Sequence, residues 1–141
     1  MGWTHESIKK TFTDPAQAAE FARETGVDAL AVAIGTAHGN YRTQPELRID
    51  RLKEIAAVVK CPLVLHGGTG LTEQDFHDCL QNGIQKINIA TASYDASARQ
   101  IKTVYQEKPE ANYFDFSDAI VQGTYQNVKK HMEIFGLLNK A

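Results

Sequence analysis

No apolar run in this chain is long enough to cross a bilayer. The longest, Ala29–Ile34, falls far short of the ~20 residues that a spanning helix needs. Cysteine is scarce: Cys61 and Cys79 are two among 141 residues, and they give neither a disulfide framework nor a zinc-ribbon spacing. Neither sign of charge dominates. Fifteen Lys and Arg stand against 17 Asp and Glu, a net of −2, so nothing drives binding to nucleic acid or to an anionic membrane surface. Ten glycines and four prolines are too few for a collagen-like or low-complexity chain. The opening MGWTHESIKK lacks the apolar core of a secretory signal, and Glu6 breaks the myristoylation pattern that Met-Gly begins. What remains is 43% hydrophobic and 23% charged, the composition of a globular domain with one core. A soluble, cytoplasmic protein is the expectation.

Residues 1–12 show no strong period and read as a linking segment, leaving residues 13–141 as one folded body without a composition break. TDPAQAAEFARETG opens with Thr13 or Asp14 as N-cap and Pro15 at the first helical position, and Gly26 closes the helix. Ala29–Ile34 then suits a parallel strand buried on both faces. A long loop leads to a helix near Asp50–Val59, and Pro62 precedes a strand over Leu63–Leu65. Thr72-Glu73-Gln74-Asp75 resembles a capping box and starts a third helix, which ends at Asn82-Gly83. Ile84–Ile89 reads as a third strand and Ala92–Gln106 as a fourth helix. Ser117–Phe135 is predicted as the last helix, with Ile120, Val121, Val128 and Met132 as core contacts.

The pattern is alternating α/β with a parallel sheet. Three parallel strands leave two open edges, and none of these strands reads as blunted by a charge or proline. Completion by another chain or by the rest of a larger domain is therefore expected. An eight-stranded (β/α) barrel takes ~250 residues, so this length suits the C-terminal part, about three βα units, of such a barrel.

Barrels place their chemistry at the C-terminal ends of strands. Those ends read Gly35-Thr36-Ala37-His38-Gly39, His66-Gly67-Gly68-Thr69-Gly70 and Asn88-Ile89-Ala90-Thr91. Two ends carry a His followed at once by Gly. Imidazoles there can ligate a metal, and they can equally serve as acid–base groups or hydrogen-bond donors. Gly67-Gly68-Thr69-Gly70 is expected to turn directly into a helix N-terminus, where backbone N–H groups freed of side chains can converge on an anion that also feels the helix dipole. Lys86 shares a strand face with Asn88 and could form a Schiff base, although it lies near the start of its strand. His5, His77, His131, Cys61 and Cys79 read as surface or structural side chains.

GVDALAVAIGTAHGNY, CPLVLHGGTGLTEQDF and GIQKINIATA, in this order and spacing, resemble the C-terminal half of the class II, metal-dependent ketose-bisphosphate aldolases. The resemblance runs from about Thr13 through the fourth helix, with a looser echo in KHMEIFGLLNKA. It implies a partial TIM (β/α)8 barrel in which His38 and His66 are two of three zinc ligands. It implies that Gly39, Gly67, Gly68 and Thr69, with Asn88, Ile89, Ala90 and Thr91, bind the dihydroxyacetone-phosphate part of a sugar phosphate. The implied reaction is reversible cleavage of a ketose 1,6-bisphosphate, fructose or tagatose, to dihydroxyacetone phosphate and glyceraldehyde 3-phosphate. Zinc would act on the ketone oxygen as a Lewis acid. The third ligand and the proton donor lie in the family's N-terminal half, so the 141-residue chain alone is expected to be inactive. The implied partners are the missing barrel half or further copies of the chain. A truncated, non-catalytic phosphate-binding or assembly module is the alternative from another class. A metal-free aldolase using Lys86 is the enzymatic one.

Overall fold

The computed structural model describes residues 12–41, 44–138 and 140. Most of the expected linking segment, with His5 and Glu6, lies outside them. The described residues form two compact units that divide between Ile89 and Ala90.

In the first unit, helix α1 spans Pro15–Thr25, β1 Leu30–Ala31, α2 Ile49–Val58, β2 Leu63–Leu65, α3 Glu73–Gln81 and β3 Ile84–Ile87. Helix α1 begins where the sequence places it: the Asp14 carboxylate accepts the Gln17 N–H at 3.0 Å, and Gly26 caps the far end. Helix α3 starts with a capping box, in which the Thr72 hydroxyl accepts the Asp75 N–H and the Asp75 carboxylate accepts the Thr72 N–H.

The strands are parallel and ordered β1-β2-β3, with Leu30 opposite Leu63 and Leu63 opposite Ile84. Ala18 of α1, Leu52 and Ile55 of α2 and Cys79 of α3 pack with Leu63, Leu65 and Ile84 into one apolar core. The helices thus cover the sheet face that carries Leu63 and Leu65. Burial pushes the Cys79 thiol up to about 12, with Asp75 and Asp78 adding to it, so this thiol is inert at neutral pH.

Two expectations about the strands are corrected. Regular pairing over 29–34 is confined to Leu30–Ala31, and the third strand stops at Ile87. Single ladder-like bonds carry on past both, from Val32 N–H to the Val64 carbonyl and from Asn88 N–H to the Leu65 carbonyl. The outer strands are also not buried on both faces. Ala31, Val64 and Lys86 align across the sheet on the face opposite the core, and Ala31 and Lys86 are exposed. Only the central strand β2 is buried throughout. Lys86 also supplies the edge-strand charge that the sequence reading missed.

The second unit is a hairpin of α4, Thr91–Glu107, and α5, Tyr113–Ile134. Helix α5 starts four residues before the expected Ser117. The Asn112 side chain accepts the Phe114 N–H at 2.8 Å and Asp115 accepts the Asn112 N–H at 2.8 Å, a second capping box. The expected core contacts are corrected as well. Ile120, Val121, Val128 and Met132 are 47, 60, 46 and 39% exposed. The contact stripe consists instead of Ala119, Gly123 and Asn127, set against Ser93 and Ser97 of α4. Small residues there let the two backbones approach closely. The Ser97 hydroxyl donates to the Ile120 carbonyl at 3.0 Å, which leaves its oxygen to accept from Thr124. Among the described residues, no helix is long and apolar enough to cross a membrane.

Candidate functional site

Alternation along a strand puts residues two apart on one face. His66 stands two beyond Val64 and Asn88 two beyond Lys86, so both continue the row opposite the helix-covered core. The structure brings this row together. The Asn88 amide nitrogen lies 3.0 Å from His66 Nε2, and Lys86 Nζ donates to the Asn88 amide oxygen. An ammonium can only donate, so it fixes which end of the amide faces the imidazole. Asn88 therefore presents its NH2 group to Nε2 of His66. Lys86 is thus tied to the site through Asn88, although the sequence reading put it at the far end of its strand.

His38 comes from the loop after β1, which is closed at its base by a 2.8 Å bond from Arg48 N–H to the Ile34 carbonyl. Its ring stacks on that of His66, with centroids 5.4 Å apart and planes 23° from parallel. Two imidazoles that share a tetrahedral zinc at Zn–N distances of about 2.0–2.1 Å have centroids roughly 5 Å apart. The centroid separation is close to that value, while the near-parallel planes are those of a ring-on-ring contact. Among the described residues, no group of three His, Cys, Asp or Glu side chains completes a metal site.

The glycine turn follows His66 directly. Gly67 has φ +72°, and a Cβ there would lie 2.4 Å from the Ala37 carbonyl oxygen, so the two loops meet backbone to backbone. Gly68 is buried against Phe76 and Ile89. The N-terminus of α3 is occupied by its own capping box and carries Glu73 and Asp75 in its first turn. The turn residues Gly67, Gly68 and Thr69 precede that acidic end. Ala90 and Thr91 open α4, which has no side-chain cap and no acidic residue in its first turn. Gly39 is open, with nothing within 4 Å of where a Cβ would stand.

Sequence reasoning missed Tyr41. Its hydroxyl accepts the Ala37 N–H at 2.6 Å and donates to the Gly67 carbonyl at 2.9 Å. Burial raises its pKa, while the Ala37 N–H pulls the other way. Its position directly after His38-Gly39-Asn40 was the one signal available, and it is a weak one. A cavity of about 380 Å³ lined by Ala22, Arg23, Val59 and Cys61 precedes β2, whereas the histidines follow it, so that cavity belongs to the other end of the strand.

Comparison with known proteins places these observations. Residues 2–140 match the family model described as class II fructose-bisphosphate aldolase. The chain is similar in structure to the YdjI aldolase from Escherichia coli K12, with a TM-score of 0.80 and 35% identity, covering 92% of this chain and 48% of that one. It shares the fold of the fructose-bisphosphate aldolase from Campylobacter jejuni, with a TM-score of 0.71 at 22% identity, covering 94% of this chain and 47% of that one. The chain therefore spans about half the length of these solved relatives. Its three parallel strands and flanking helices correspond to part of a TIM barrel.

Proposed function

Since the chain belongs to the class II fructose-bisphosphate aldolase family, we propose that it supplies two zinc ligands and phosphate-binding backbone to an aldolase built on the complete barrel. The reaction is the reversible cleavage of a ketose 1,6-bisphosphate, fructose or tagatose, into dihydroxyacetone phosphate and glyceraldehyde 3-phosphate. The observation that carries this reading is the closeness of the His38 and His66 rings after adjacent strands, with centroids 5.4 Å apart. His38 and His66 would hold the metal. Zinc, when bound, supplies Lewis-acid polarisation of the substrate's ketone oxygen.

The chain's own residues have distinct tasks. Asn88, itself held by Lys86, orients the His66 ring. The N–H groups of Gly39, Gly67, Gly68 and Thr69 offer donors to the phosphate of the dihydroxyacetone-phosphate part. Asn88, Ile89, Ala90 and Thr91 add an amide, a hydroxyl and the uncapped start of α4. Holding the phosphate fixes where the ketone oxygen falls. No catalytic acid is assigned in this chain. The proton donor and third ligand are expected from the other half of the barrel, and the chain alone is expected to be inactive.

Calorimetric titration of the full chain with zinc tests the reading, using wild type, His38→Ala and His66→Ala. Weak binding is expected for wild type, lost in either variant and weakened on acidification as protons compete for imidazole. Binding that is absent from wild type, or unchanged in both variants, refutes the assignment.

A further inference from the structure

We propose that Tyr41 is a positioning residue, whose hydroxyl ties the loop carrying His38 to the turn carrying His66 and so sets the spacing of the two imidazoles. The inference rests on the metal-site reading above and adds to it the device that holds the pair. The bonded atoms are close neighbours of the histidines in the chain. The Ala37 N–H, one residue before His38, donates to the hydroxyl at 2.6 Å. The Gly67 carbonyl, one residue after His66, accepts from it at 2.9 Å. A phenol can do both at once with one oxygen, accepting on one side and donating on the other.

The surroundings agree. Gly67 and Ala37 already meet backbone to backbone, so the tie spans a contact rather than a gap. The Tyr41 ring edge lies beside Gly70, where an added Cβ would come within 3.4 Å of it. A phenol is protonated at neutral pH, as donation to Gly67 requires, and burial raises its pKa further. Gln44 adds an exposed bond to the Gly70 carbonyl at 3.3 Å, a longer tie between the same two segments. Chelation by two imidazoles tolerates little slack, because a displacement of about an ångström takes one nitrogen out of bonding range.

The test is Tyr41→Phe in the full chain, which keeps the ring and removes the bridging oxygen. Two measurements read it. In the metal-free protein, the NMR cross-relaxation between the His38 and His66 ring protons is expected to be present in wild type and lost in the variant, with shifts in α4 and α5 unchanged. Titration with cobalt(II), followed by its visible absorption, is expected to show affinity falling by about tenfold or more, the effect of an outer-shell loss. A variant that keeps both the ring cross-relaxation and the cobalt affinity overturns the proposal. If wild type binds no cobalt, the metal assignment fails while the ring measurement still decides the role of Tyr41. If the variant does not fold, exchange of the Ala37 amide in wild type decides: slow exchange supports the tie, and exchange at the rate of an open loop amide refutes it.

Discussion

Gly67 joins the two histidine loops by lacking a side chain. Its φ of +72° disfavours any residue with a Cβ, and that Cβ would fall 2.4 Å from the Ala37 carbonyl oxygen, a backbone atom that cannot rotate away. Gly67→Ala is therefore expected to lower stability by about 2–4 kcal/mol, from the backbone cost and the displaced loop together. Urea denaturation measures it. A loss below about 0.5 kcal/mol would mean that the Ala37 segment moves aside freely. The same scale shows what could be read in the sequence. His38 and His66 were legible because each follows an apolar run and precedes a glycine, a pattern set within one segment. Tyr41 was not, because its partners are backbone atoms at Ala37 and, far along the chain, at Gly67. No residue-type pattern records a bond to main chain across two strands.

Helix α5 shows how element boundaries follow from caps and element packing from side-chain size. The Thr72–Asp75 box at α3 was legible in the sequence, whereas the equivalent Asn112–Asp115 box was hidden by the aromatic residues Tyr113, Phe114 and Phe116. Helical periodicity pointed to the large apolar residues Val121 and Val128 as the buried stripe. Close approach to α4 selects Ala119 and Gly123 instead, and a Cβ on Gly123 would lie 2.6 Å from Ser97 Cα. Gly123→Ala is expected to cost about 1–3 kcal/mol by forcing the hairpin apart. A thermal melt of the variant that matches wild type would contradict this. The start of α5 should also respond to acid. Donation from the Asn112 N–H, and then the Lys108 ammonium, hold the Asp115 carboxyl below its usual range. A depressed folded pKa stabilises above the unfolded value and loses that contribution as pH falls through the folded one. Circular dichroism of wild type should thus show helix loss beginning below about pH 4, and Asp115→Asn should remove that pH-dependent component. Equal stability differences between the two proteins at neutral and acid pH would count against it.

At the scale of the whole molecule, the two faces of the sheet in the first unit differ. The helices bury Leu63 and Leu65, while on the other face Ala31 and Lys86 are exposed beside the buried Val64, and β1 and β3 each keep a free edge among the described residues. Exposed Val121, Tyr125 and Val128 add apolar surface on α5. Such surfaces invite association, so the chain is expected to self-associate or to bind the other half of the barrel when it is supplied. Sedimentation at micromolar concentrations tests this, and a stable monomer with cooperative unfolding would refute it. The α/β alternation behind this sheet was plain in the sequence. The exposure of Ala31 and Lys86 was not, because an apolar strand reads alike whether its second face meets helices or the interior of a barrel. Strand order has a further consequence. Each strand pairs with its neighbour in sequence, β1 with β2 and β2 with β3, so β2 and then β3 each find one partner already synthesised when they emerge. Folding can therefore run from the N-terminal end toward the C-terminal end during translation, with each finished strand serving as the template for the next.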